Sequence, residues 1–347
     1  MADRYDDSDI ERSNRKGDLL YPRKNAEGFY PLVSSSPVQF REKKERRIFP
    51  WLVPVFVVAN IVVFIVVMYE NNCPDHINPQ HRCVLRWLGR FSFQPLSENP
   101  LVGPSSATLQ RLGGLETSLV TTRGQGWRLM SCVWLHAGVI HLLVNILALI
   151  FIGLQLEREF GAFRIGWLYL ISGLGGSLLS ALFLTNEIAV GASGALFGLL
   201  GASLSEILTN WTIYKRKCGA LCTLIILVAV NLALGLLPHV DNFAHIGGFL
   251  SGFLLGFVLL MKPQYGWMSR KELPLGNEFE LPVKHRHKTY QYVLLVSSAL
   301  LLVAGFTGAF VALYTGVDAN KNCSWCHYLS CVPTAAWHCD NIPSGGN

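Results

Sequence analysis

The 347-residue chain is 51% hydrophobic and only 15% charged, with a formal net charge of +6. Soluble domains carry roughly one-quarter charged residues, so this balance excludes an ordinary soluble globular protein and defines a polytopic membrane protein. The excess positive charge lies beside apolar runs, the arrangement of topogenic charge, and calls for no nucleic-acid partner.

Residues 1–47 are hydrophilic, mixed in charge and rich in Arg, Asp and Ser, and read as a disordered cytoplasmic tail. The tail ends in Arg41, Lys43, Lys44, Arg46 and Arg47, directly before an apolar run over 48–69. No short apolar segment with a cleavage site precedes that run, so it is expected to act as an uncleaved anchor. A loop at 70–130 follows, containing Cys73 and Cys83.

Further apolar runs at about 132–153, 163–184, 220–237, 243–261 and 290–314 approach or exceed the roughly 18 to 20 residues needed to cross a bilayer. Another run, at 193–209, is rich in Gly, Ala and Ser and reads as a buried span, because small residues let helices approach closely in lipid. Seven spans place Glu157-Arg158, Lys215-Arg216-Lys217 and a connector at 263–289 on the cytoplasmic side with the N-terminus. The 70–130 loop opposes the charge rule with Arg82, Arg86, Arg90, Arg111, Arg123 and Arg128, but long loops follow that rule poorly. The tail at 315–347 then falls on the lumenal or extracellular side.

Six cysteines fall on that side, Cys73, Cys83, Cys323, Cys326, Cys331 and Cys339, an even number that predicts disulfides in an oxidising compartment. Their connectivity is open. Cys323-Ser-Trp-Cys326-His327 also matches a haem-attachment pattern, but so short a tail offers no pocket for a porphyrin, and disulfides are favoured over haem or zinc. No metal or organic cofactor is expected. No Gly-rich phosphate loop and no internal repeat is evident, so neither nucleotide binding nor an inverted-repeat transporter is supported.

Polar groups within spans are costly unless paired or facing a water-filled cavity, which singles out His141, Asn145, Ser193 and His245. His141 and Asn145 are four residues apart and share a helical face. Ser193 opens one span within Gly191-Ala-Ser-Gly194, and His245 opens another descending from the same side. Glycine stripes at 194 and 198, continuing to Ala202, and at 248, 252 and 256 predict close packing of those two helices. A nucleophile, a base and donors for an oxyanion are then assembled, the minimum for acyl transfer. Asp241, one turn before His245, is not expected to form a triad.

These residues together resemble the rhomboid family of intramembrane proteases: Trp127-Arg128, His136, His141, Asn145, Gly191-Ala-Ser193-Gly194 and Ala244-His245-Ile-Gly247-Gly248. The resemblance implies an all-α six-helix catalytic core over 48–262 with Ser193 and His245 as the catalytic pair. It also implies His141 and Asn145 at the oxyanion, Phe197 packed on the His245 ring, and Gly248 permitting that approach. His136 is expected to hydrogen-bond nearby structure, and Trp127-Arg128 to have an architectural role in a loop partly embedded in the outer leaflet. A seventh span resembles the secretase-type eukaryotic subgroup of the Golgi, endosomes or plasma membrane, and the Cys-bearing tail looks plant-like. Partners implied are transmembrane protein substrates and membrane lipid. The alternative is a catalytically inactive relative serving membrane-protein quality control.

Overall fold

The computed structural model describes residues 49–76, 82–185, 187–211, 217–234, 240–262, 264–265, 285–323 and 325–329. The expected N-terminal tail, most of the 263–289 connector, Cys331 and Cys339 lie outside the described residues. The molecule is helical. Seven long helices are described: α1 Leu52–Asn71, α2 Val139–Phe160, α3 Ala162–Phe183, α4 Ser193–Thr209, α5 Lys217–Leu234, α6 Asn242–Leu259 and α7 Thr289–Tyr314. A two-residue antiparallel pairing joins Gln264–Tyr265 to His285–Arg286.

Five of these helices, α1, α2, α3, α6 and α7, are long and apolar enough to cross a membrane, while α4 and α5 contain shorter apolar helices. The chain is therefore a multi-pass membrane protein. At 17 residues, α4 spans only about 26 Å. Its position in the bundle explains its composition, for 13 of those 17 residues are buried. By contrast, α7 buries only Gln291, Ser298 and Leu313, and turns Val293, Val296, Leu300, Leu301 and Val303 outward.

The two glycine stripes do face one another. A Cβ on Gly248 would strike the backbone of Gly194, one on Gly252 the backbone of Gly198, and one on Gly256 would approach Ala202 and the Ser205 hydroxyl. Helix α3 joins this contact with a pair that the stripe argument overlooked. A Cβ on Gly176 would meet Ala244 O at 2.7 Å and Gly194 Cα at 3.3 Å, and one on Gly247 would meet Gly175 O at 2.6 Å. Three helices thus cross with backbone against backbone, which only residues without side chains permit.

The second span lies further along the chain than the apolar run at 132–153 indicates. It begins at Val139, because 132–138 forms a short 3₁₀ turn over Cys132–Trp134 and then extended chain. Loop carbonyls take the place of helical ones at its start: Val139 N–H donates to Val102 O at 2.9 Å and Ile140 N–H to Leu101 O at 3.4 Å. Within α2 a π-turn at Leu149–Gly153 separates two α-helical stretches. Beyond it, Glu157 belongs to the helix and not to an exposed connection. Its carboxylate is fully buried and accepts from the N–H groups of Trp51, Leu52 and Val53 at 2.7–2.9 Å, capping α1.

At the other end of α1, Asn71 Oδ1 accepts from Ser105 N–H at 2.9 Å, the Thr108 hydroxyl at 3.1 Å and Gln94 Nε2 at 3.4 Å. A disulfide joins Cys73 to Cys83 beside it, and a second joins Cys323 to Cys326 after α7. Chain direction puts both disulfides on the face where α4 and α6 begin.

Two outcomes follow from this packing. Gly252→Val forces a branched side chain onto the Gly198 backbone and should lower stability by about 1–3 kcal/mol or more, whereas Gly305→Val on α7, where a Cβ meets nothing within 4 Å, should be neutral by thermal unfolding in detergent. Glu157→Ala leaves three N–H groups without their acceptor and should cost at least about 2 kcal/mol in the same measurement, with Glu157→Gln losing less.

Candidate active site

Ser193 is the first residue of α4, and the segment before it is pinned from two sides. Leu115 and Ala189 exchange two backbone hydrogen bonds of 2.9 Å, and Gly191 N–H donates to Cys132 O at 2.9 Å. Gly191 has φ +135°, a conformation L side chains rarely adopt. Space demands glycine as well, since a Cβ there would lie 2.7 Å from His141 Cε1, 2.9 Å from His141 Nε2 and 3.7 Å from Ser193 Oγ. The His141 ring and the Ser193 hydroxyl therefore converge on the same point.

His245 is buried in the first turn of α6. Its ring stacks on Phe197, with centroids 4.2 Å apart and planes 10° from parallel. Phe197 stands one turn beyond Ser193 on α4, so the stack holds the imidazole against the helix that carries the serine. Gly248 makes this possible by resting on the Gly194 backbone, and a Cβ on Gly194 would be 3.2 Å from Ala244 O, beside His245. Among the described residues no hydrogen bond joins Ser193 Oγ to the His245 ring, and His245 Nδ1 has no partner. Hydrogen bonds between a nucleophile and its base are commonly loose until a substrate is held.

Asp241 has other partners. One carboxylate oxygen caps α6 by accepting from Ala244 N–H at 2.9 Å, and the other accepts from the Ser180 hydroxyl at 2.5 Å. It serves the helix end on which His245 stands.

His141 and Asn145 lie on one face of α2, as their spacing predicts. Asn145 is 5% exposed with Nδ2 unpartnered among the described residues, and His141 Nδ1 is likewise unpartnered. Both side chains are available donors. Further donors stand at the start of α4: its first intrahelical bond runs from Leu196 N–H to Ala192 O, so the N–H groups of Ser193, Gly194 and Ala195 precede the ladder. His136 is fully buried and packs edge-on against His141 with centroids 5.3 Å apart.

Around this centre the 70–130 loop is held by Arg128, whose Nη1 donates to Gln110 O and Gly114 O at 2.5 and 2.7 Å and whose Nε donates to Gln125 Oε1 at 2.6 Å. Glu116 accepts from Gln110 Nε2 and from the Ser118 hydroxyl, bonds that hold its carboxyl below the usual carboxylate range. Arg128 orders the strand of loop leading to Leu115, and through Leu115 the approach to Ser193. Sequence reasoning missed that link and the contribution of Gly175 and Gly176; the cluster Gly173-Leu-Gly175-Gly176 was the available signal.

The chain can be compared with known proteins on this basis. Residues 123–262, which contain His141, Asn145, Gly191, Ser193, Phe197, His245 and Gly248, match the model of the Rhomboid domain. RHOMBOID-like protein 1 of Arabidopsis thaliana is 60% identical over 292 residues, covering 84% of this chain and 74% of that protein. RHOMBOID-like protein 2 of the same plant is 61% identical over 290 residues, covering 83% and 90%. Inactive RHOMBOID-like protein 8 is 42% identical over 294 residues, covering 84% and 83%. Identity at this level over most of each chain leaves one conclusion: the protein belongs to the rhomboid family of membrane proteins.

Proposed function

We propose that this chain is an intramembrane serine endopeptidase, with Ser193 as nucleophile and His245 as general base. Family membership supports protease function in general, but a relative bearing the name inactive means that activity must be argued from the site. The observation that carries the argument is the buried His245 imidazole stacked on Phe197 one turn from Ser193.

In this reading Ser193 Oγ attacks the carbonyl carbon of the scissile bond while His245 takes the hydroxyl proton. Charge then develops on the former carbonyl oxygen. The unladdered N–H groups at the start of α4, with His141 and Asn145, are the donors suited to it, aided by the positive end of the helix dipole. His245 returns its proton to the leaving amine, giving an acyl-enzyme, and activates the water that hydrolyses it. A carboxylate is not required beside His245, in keeping with Asp241 having Ala244 and Ser180 as its partners.

The substrates are membrane-spanning proteins cut within or next to a transmembrane helix. An extended backbone must reach the serine, which favours small residues at the cut and helix-weakening residues nearby. The site faces the lumenal or extracellular side, because it shares that face with two disulfides, and disulfides persist in oxidising compartments. The basic residues before α1 then mark the cytoplasmic side. An endomembrane such as the Golgi, or the plasma membrane, fits both.

Ser193→Ala and His245→Ala should each abolish cleavage of a co-expressed single-span substrate while membrane insertion is unchanged; cleavage near the wild-type rate in either variant overturns the dyad. A fluorophosphonate should label the wild type and not Ser193→Ala. Asn145→Ala should reduce turnover by about 10- to 1000-fold, the range for one oxyanion donor, with thermal stability largely kept.

A further inference from the structure

The chain after α7 folds back over the site-bearing end of the bundle. Ala319 N–H donates to Leu182 O at 2.9 Å, anchoring the tail to the end of α3. Ten residues on, Leu329 O accepts from Asn242 Nδ2 at 2.8 Å, and the same Nδ2 lies 3.3 Å from Leu232 O in the last turn of α5. Asn242 is 1% exposed and is the first residue of α6, three before His245. One buried amide thus ties the tail to two helices, on the turn that carries the proposed base.

Between those two anchors lies the Cys323–Cys326 disulfide. It closes a ring of only four residues, and so small a loop removes little entropy from the unfolded chain. Its effect is local. It shapes the turn that delivers Leu329 to Asn242, aided by Cys323 N–H to Asn320 O at 3.2 Å and Cys326 N–H to Cys323 O at 3.3 Å. The two residues are unequally exposed: Cys326 is buried, Cys323 is partly exposed, and Trp325 between them is 62% exposed. Two cysteines at this spacing, one residue partly exposed and the other buried, form an arrangement suited to thiol–disulfide exchange.

We infer that Cys323–Cys326 is a thiol-exchange site for a dithiol partner, and that its disulfide form keeps the tail on Asn242, a positioning residue for the helix end bearing His245. In the exchange, a partner thiolate attacks Cys323 Sγ, the Cys323–Cys326 bond breaks, and Cys326 leaves as a thiolate that takes up a proton. The partner's second thiol, on losing its proton, resolves the mixed disulfide and frees the Cys323 thiol. Two electrons pass from the partner, which departs as its own disulfide. The kinetic consequence rests on the protease reading; the structural one does not.

The test uses the full chain in nanodiscs before and after dithiothreitol, reading amide hydrogen exchange over residues 244–248 and cleavage of a single-span substrate. Reduction should raise exchange there and lower turnover about two- to ten-fold, the scale of one net hydrogen bond, with both restored on reoxidation. Cys323→Ser/Cys326→Ser should behave as the reduced protein throughout. Asn242→Ala should show the raised exchange without reductant and no further response to it, a comparison that stands even where the double variant fails to fold. Unchanged exchange in the reduced wild type overturns the inference. So does redox sensitivity that persists in the double variant, which assigns the effect to other cysteines of the chain. Fluorophosphonate labelling of the oxidised protein separates the two readings: without labelling of Ser193 the protease reading fails, and hydrogen exchange alone decides the tail's role.

Discussion

Backbone-to-backbone contact among α3, α4 and α6 is the constraint on which the remaining geometry depends. Gly194 and Gly247 both close on the Cα of Gly176, and Gly248 lies on the Gly194 carbonyl group. In lipid there is no hydrophobic force to press helices together, so association relies on van der Waals contact, and small residues bring the most atoms within range. A consequence is that α4, short and lined with glycine, can be enclosed on nearly every side. Ser193 and His245 are then brought near one another by main-chain contacts one residue away, at Gly194 and Ala244.

Close packing alone would allow the helices to slide, and buried polar groups oppose that. Glu157 fixes the start of α1 to α2, Asn71 fixes the end of α1 to the loop, and Asp241 fixes the start of α6 to Ser180 on α3. Each accepts from donors that would otherwise be unsatisfied away from water, a cost that resists any change of register. Arg128 extends the same principle into the 70–130 loop, where carbonyl groups of Gln110 and Gly114 gather on one guanidinium.

Against this background of satisfied groups, the unpartnered ones are informative. His136, His141, Asn145 and His245 all have a buried polar atom without a partner among the described residues, and three of the four are the side chains proposed for proton transfer and oxyanion binding. Buried polar atoms are normally paired. Preorganised donors awaiting a charge that forms only during reaction are one reason for an exception.

The sequence by itself determined the membrane class, the number of long helices, the identity of the facing glycine stripes, and the residues proposed for the site. These follow from local quantities: the length of an apolar run, the periodicity of small residues, and the cost of a polar group within a span. It also anticipated Phe197 against His245, through the resemblance and not through spacing. What only the tertiary structure decided is the start of α2 at Val139, because the carbonyls that replace a helical turn there come from Leu101 and Val102, far away in sequence. The role of Glu157 was hidden for the same reason: its charge reads as a cytoplasmic connection until the π-turn and the start of α1 are seen beside it. Gly191 shows both sides of the division. Its place before a serine is legible in the chain, but the His141 ring that forbids a Cβ there arrives from another helix, and no pattern within one segment records a contact between two.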